Sequence, residues 1–290
     1  MVTPTSAVAS QRRGTRPPLR FTPGGLTFTV LALFLAVVWL IPLVWAVITS
    51  LKPESETTAV PVRWLPLEPT FAAYETVIAR GDLQQWLLNS TVIATVVTAL
   101  TLVTCVLAAY AFSKIPFPGR SWLFALFIAG ILVPPQVLII PLFDQMTFLG
   151  LIDTYTGIAL PQVVAPIMII ILKRFFDAIP RDYEEAARLD GAGHLRILVN
   201  VVLPMSTPIL AAVGIFTFVQ AWNNFLWPFI SATDPNLMTV PVGLGTVQGS
   251  YGILYAQNMA AAVLGALPLI VVFLLFQRQV VRGVTDAGLK

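Results

Sequence analysis

Charge divides this 290-residue sequence into six intervals that contain no charged side chain at all: 26–49, 84–113, 121–143, 154–172, 197–233 and 235–277. Each is long enough for a helix of about 20 apolar residues, the length that crosses a bilayer. Lipid cannot satisfy exposed backbone amides, and a charge placed in it is costly, so intervals of this kind mark membrane spans. The composition agrees. Charged residues make up only 11% of the chain and hydrophobic ones 57%, whereas soluble domains run near 25% charged. The pattern excludes a soluble globule and predicts an all-α integral membrane protein.

Three of the intervals need trimming or dividing. Within 84–113 the helix runs from Trp86 to Phe112. The stretch 197–233 is too long for one straight span; Pro204 and Pro208 place a helix start near 205–209, and Trp227-Pro228 marks its end. Residues 236–258 are rich in Gly, Pro, Asn and Gln and read as a loop, which leaves 259–277 as the final span. Six transmembrane helices result, in one domain over 26–282. The Ser/Thr/Pro/Arg-rich segment 1–25 reads as a disordered tail and 283–290 as a short C-terminal tail. The first apolar run is too long for a signal-peptide core and lacks a small-residue cleavage site after it. The single cysteine, Cys105, excludes an intrachain disulfide and reads as a packing residue.

The positive-inside rule sets the orientation. With the N-terminus in the cytoplasm, fourteen of the seventeen basic residues fall on the inner side, and only Lys52, Arg63 and Arg80 lie outside. Eight of the fourteen acids lie outside, so the inner segments carry net +8 and the outer ones −5. Both termini are expected in the cytoplasm.

One inner loop differs from the rest. Residues 175–202 are long for a connection in a compact bundle and dense in charge. Pro180 suits a helix start, Asp182, Glu184 and Glu185 suit the positive N-terminal end, and Arg188 suits the C-terminal end. Gly191 and Gly193 are expected to stop this helix in the left-handed conformation. A second short helix over 194–202 leads to Pro204. Tyr183, Ala186 and Ala187 are expected on one face, where small alanines let another protein approach the backbone.

The spacing Glu185-Ala186-Ala187, Asp190-Gly191, Val201 and Leu203-Pro204 resembles the EAA loop of ATP-binding-cassette importer permeases. Further stretches resemble the carbohydrate-importer, maltose-permease-like branch. They are Thr49-Ser50-Leu51-Lys52-Pro53, Trp64-Leu65-Pro66 with Tyr74, Asn89-Ser90, Trp222-Asn223-Asn224, Thr239-Val240-Pro241-Val242-Gly243-Leu244, and Gln277-Arg278 with Gly283. Val201 replaces the family's usual Ile, and the chain ends Ala287-Gly288-Leu289-Lys290 instead of in the family's Gly-Ala-x-Lys-Gly. The resemblance implies the type I ABC importer permease fold. It also implies that Glu185, Ala186, Ala187, Asp190 and Gly191, in a loop over about 178–204, couple the membrane helices to a cytoplasmic ATPase. The implied partners are a second homologous permease, two ABC ATPase subunits, an extracytoplasmic solute-binding protein and a sugar, in a bacterial plasma membrane.

No phosphate-binding G-x-x-x-x-G-K-[S/T] loop occurs, so ATP and Mg belong on the partner ATPases, and this chain is expected to bind no cofactor and to be no enzyme. The only histidine, His194, cannot build a multi-histidine metal site. The basic residues form no aromatic-interleaved stripe, which argues against nucleic acid. Asn89, Gln136, Gln220, Asn223 and Asn224 are uncharged hydrogen-bonding groups in or near the spans and are the candidates for a translocation path suited to hydroxyl-rich substrate. Two alternatives stay open: an importer of the same class for a non-sugar solute such as a glycerophosphodiester, or an ion-coupled secondary transporter, which would need ion-coordinating groups in broken spans.

Overall fold

The computed structural model describes residues 23–246 and 253–288, with side chains for 26–246 and 253–277. The expected tail 1–25 lies almost wholly outside that range, as do 247–252 of the expected outer loop and the last two residues. All regular structure among the described residues is helical.

Helix α1, Pro23–Ser50, carries the first span in its segment Leu26–Ser50. Its part up to Trp45 belongs to one compact unit and Ala46 onward to a second, which holds everything described below. Beyond Ser50 the chain turns through residues 51–71 to an amphipathic helix, α2 (Ala72–Arg80), whose Ala73 and Val77 are buried. Gly81, in the left-handed conformation, ends α2 and starts α3, Asp82–Lys114. At 33 residues α3 extends about 50 Å, well beyond the ~30 Å of hydrocarbon.

Two expected spans are broken, and a third bend falls where the fifth span was expected to begin. Helix α4 (Arg120–Ile131) and the pair Pro135–Leu138 with α5 (Ile139–Phe148) meet at 93°. Helix α6 (Tyr155–Ala159) with the turn Leu160–Gln162 meets α7 (Pro166–Asp177) at 51°. The segment His194–Met205 meets α10 (Thr207–Trp222) at 83°, with α8 (Arg181–Leu189) and α9 (His194–Ile197) lying before the bend. Proline explains the positions: Pro135, Pro166 and Pro208 sit in the first turn of the downstream helix, where the missing amide hydrogen costs nothing.

The fifth span ends at Trp222, not at Trp227-Pro228. Those two residues belong to a separate turn of helix, α11 (Leu226–Ser231), because the chain leaves the helical path at Asn223–Phe225. The stretch expected as a loop also contains a helix, α12 (Val240–Leu244), folded against the bundle. Its signal was hidden because Pro241 and Gly243 are turn residues by composition. The last helix, α13, starts at Tyr255, earlier than 259, and continues to Gly288 through the segment expected as a tail.

Two hydrophobic cores hold the second unit together. One gathers Trp86, Ile93, Val97, Ile158, Trp222, Val240 and Ala260; the other gathers Cys105, Tyr110, Phe112, Leu172, Phe176, Ile197, Val202 and Val213. Helix α3 contributes to both. Fully buried Ala94, Ala109, Ala260 and Ala261 let helices approach closely, the packing mode that replaces the hydrophobic effect in lipid. Asn89, with no exposed surface, donates to the carbonyls of Asn236 and Met238 at 2.8 Å each and accepts from Tyr155 Oη at 2.5 Å. Ser90 Oγ accepts the Val240 amide at 2.8 Å. Asp153, at φ 57°, accepts from Thr233 Oγ1 at 2.6 Å and from the amides of Thr233 and Asp234, which hold its carboxyl below the usual range.

Gly243 packs directly on the Trp86 indole, where any Cβ would overlap the ring. Gly243→Leu therefore forces α12 off the bundle and should lower stability by about 1–3 kcal/mol, the usual overpacking cost. Thermal unfolding in detergent measures it, with Gly245→Ala, whose Cβ would meet only one carbonyl at 3.2 Å, as the mild control.

Candidate functional site

Helix α8 starts after Pro180 with Asp182 and Glu184 in its first turn and Arg188 in its last, matching charge to the helix ends. Its stop is a Schellman motif: the Gly191 amide donates to Arg188 O and the Ala192 amide to Ala187 O, both at 2.9 Å. Gly191 takes φ 75°. Gly193 does not share that role; at φ −76° and ψ 169° it is extended and caps α9 instead. Helix α9 covers only His194–Ile197 before the backbone widens into a π turn, Leu198–Val202, so the expected second helix is regular in its first turn alone.

Burial divides α8 differently from the expected face. Glu184 is 5% exposed, and its carboxylate meets Lys114 Nζ of α3 at 2.5 Å. Lys114 also donates to Ile179 O at 3.1 Å. Ala187, three residues on from Glu184, turns inward against the second core. Tyr183 and Ala186 keep the outer face with Glu185, Leu189 and Asp190, all exposed. Leu189 is 90% exposed and Leu195 69%. The result is an outward ridge of mixed apolar and acidic character on an anchored helix. His194 is exposed and meets Tyr110 edge-on at 6.4 Å.

A second feature lies where the spans break. A cavity of about 460 Å³ is lined by Gln136, Gln162, Thr217, Gln220 and Asn224, with Pro135, Pro161 and Trp227 among its walls. Irregular backbone at membrane depth is tolerated where it borders a cavity or packed protein. Gln136 stands at the break before α5, Gln162 at the break before α7, and Gln220 and Asn224 at the end of α10. Asn224 Nδ2 donates to Gln162 Oε1 at 2.8 Å across the cavity. Thr217 Oγ1 is buried and has no hydrogen-bond partner.

Gln136, Gln220 and Asn224 are thus brought together. Asn223 is not among the lining residues; it is exposed and folds back on Val219 O at 2.9 Å. Asn89 lies apart too: its Nδ2 donates to Asn236 O and Met238 O, and its Oδ1 accepts from Tyr155 Oη and Gln85 Nε2. Gln162 and Thr217 were missed in the sequence. The pair Pro161-Gln162 inside a charge-free interval was a readable signal, whereas a threonine in a span carries none. Among the described residues no group of three or more His, Cys, Asp and Glu could hold a metal ion.

Residues 101–286 match the family described as binding-protein-dependent transport system inner membrane component. A sulfoquinovosyl glycerol transport system permease protein of Agrobacterium fabrum is 38% identical over 275 residues, covering 94% of each chain. The arabinooligosaccharides transport system permease protein AraQ of Bacillus subtilis is 32% identical, over 93% of this chain and 98% of its own. The trehalose/maltose permease protein MalG of Thermococcus litoralis is 34% identical over 89% and 94%. Among solved structures, a chain of a bacterial ABC transporter involved in import of the acidic polysaccharide alginate superposes with TM-score 0.78. It is 25% identical, over 88% of this chain and 96% of that one.

Because Gly191 has open space around its Cβ position, substitution there costs only backbone strain, about 1–2 kcal/mol for a non-glycine residue. Gly191→Val should show that loss in thermal unfolding, and Gly191→Asn, which tolerates the left-handed region, should show less.

Proposed function

This chain belongs to the family of binding-protein-dependent transport system inner membrane components, and from that premise we propose how its parts divide the work of ATP-driven sugar uptake. It is a multi-pass permease subunit of an ABC importer for a sugar or sugar derivative. In our reading it crosses the bacterial plasma membrane six times, counting each bent pair as one span, with both termini in the cytoplasm. The charge asymmetry supports that orientation. A second homologous permease completes the pathway, two ATPase subunits bind ATP and Mg below it, and a solute-binding protein delivers sugar from outside. This chain contributes no catalysis and holds no cofactor.

The observation that carries the assignment is α8. Its inner face is tied down through Glu184 and Ala187, and Gly191 ends it cleanly, so Tyr183, Glu185, Ala186, Leu189 and Asp190 form a rigid outward ridge. A ridge of this kind suits docking in a cleft of the ATPase, whose closure would then move the bundle. The amide-lined cavity supplies the path. Gln136, Gln162, Gln220 and Asn224 offer donors and acceptors without charge, matching sugar hydroxyls, and a volume near 460 Å³ lies in the range of small-molecule sites.

Glu185→Lys should leave membrane insertion unchanged and lower ATP-driven uptake at least tenfold, with a matching loss of ATPase subunits in copurification from mild detergent. Uptake and copurification equal to wild type would reject α8 as the docking helix.

A further inference from the structure

Among the described residues three helices are long enough to cross a membrane singly. Two contain proline: α1 has Pro42 and α13 has Pro268, with Gly265 three residues before it. Helix α3 has neither proline nor glycine in its 33 residues. The remaining spans bend by 51° to 93°. Prolines and breaks are where helices yield, so α3 is the stiffest element of the second unit.

Its two ends are tied unusually well. At one end Lys114, its last residue, is paired at 2.5 Å with Glu184 of α8, and both side chains are nearly sealed from solvent, 6% and 7% exposed. A buried pair is strongly intolerant of losing one partner, because the other is left as an uncompensated charge. Next to it Ser113 Oγ donates to Asp177 Oδ1 at 2.7 Å, and Lys173 bridges the same carboxylate, tying α3 to the end of α7. At the other end Trp86, Asn89 and Ser90 grip the outer segment: the indole lies on Gly243, Asn89 binds Asn236 O and Met238 O, and Ser90 binds the Val240 amide.

We propose that α3 is a transmission rod that carries displacement of α8 to the outer segment Asn236–Leu244, with Lys114 and Glu184 as its positioning residues on the inner side. The proposal rests on α8 being the ATPase-docking helix. The fifth span, although joined to α8 in sequence, is poorly placed for the task, since its 83° bend falls directly after the loop and can absorb motion there. Through α3 the same displacement reaches residues 236–244 across one unbroken row of backbone hydrogen bonds. In this way the nucleotide state of the ATPases is reported to the face where a binding protein arrives.

Hydrogen exchange on the complete importer in lipid nanodiscs tests this, comparing the nucleotide-free complex with one trapped by ATP and vanadate. In wild type the exchange of amides 236–244 should differ at least fivefold between the two states. Lys114→Glu and Glu184→Lys should each reduce that difference below twofold, and the double exchange, Lys114→Glu with Glu184→Lys, should restore it. A role confined to stability would lower the amount of assembled complex but leave the fivefold difference in what assembles; that result overturns the proposal, as does failure of the double exchange to restore a difference lost in assembled single variants. Should the single variants fail to assemble, Val103→Gly with Leu107→Gly decides. Both residues are exposed on α3 away from the cores, so the pair softens the rod and leaves its ends intact. A full fivefold difference in that variant rejects α3 as the carrier, and its loss supports it. If no ATPase copurifies with wild type, the docking assignment itself is wrong.

Discussion

Hydrocarbon offers backbone amides nothing to bond with, and the architecture follows from how this chain meets that constraint. Where a helix runs unbroken, as in α3, each amide is satisfied within the helix. Where it breaks, the freed groups must find partners or border a polar space. Two of the three breaks, at Pro135-Gln136 and Pro161-Gln162, lie at one cavity, together with the end of α10 at Gln220 and Asn224. Amide side chains gather there and meet polar groups at the break: Gln162 Nε2 donates to Ile158 O, and Gln162 Oε1 accepts from Asn224 Nδ2, both at 2.8 Å. The third break, at Met205–Thr207, lies next to the loop carrying α8.

Division of labour between broken and unbroken spans gives the permease its mechanical character. Bent spans line the cavity at their breaks. Helix α3 joins both hydrophobic cores and so gives them a common frame. Small residues make this possible: Ala94 and Ala109 bring neighbouring helices close, and Gly214 allows α10 to approach Leu102 and Thr98. A sugar importer needs both properties, since alternating access requires movement and coupling requires stiffness.

The cavity and α8 also differ in electrostatics. The cavity lining carries no charged side chain, as the proposed path for neutral hydroxyls requires. Around α8 charge is dense, and its most protected pair, Lys114 with Glu184, ties two elements together. The neighbouring Glu185 points outward. One carboxylate is buried and anchors the helix, and the next is exposed, so a difference of a single residue separates a packing position from one open to the proposed docking.

Apolar length and charge placement by themselves determined that this is a helical membrane protein of up to six spans, and the Glu185-to-Pro204 spacing identified its family. Those properties are local: insertion depends on the composition of each segment, and a helix stop at Gly191 depends on one residue's freedom to take positive φ. Tertiary structure alone decided that Asn89 is a structural hub, that Ala187 turns inward, that Gln162 and Thr217 join Gln136, Gln220 and Asn224, and that a Gly/Pro-rich stretch folds as α12 on Trp86. Each of these depends on contacts between residues tens of positions apart, and hydrophobicity in a span does not distinguish a side facing lipid from one facing protein. Periodicity therefore carries little information where both environments are apolar, and only packing assigns the faces.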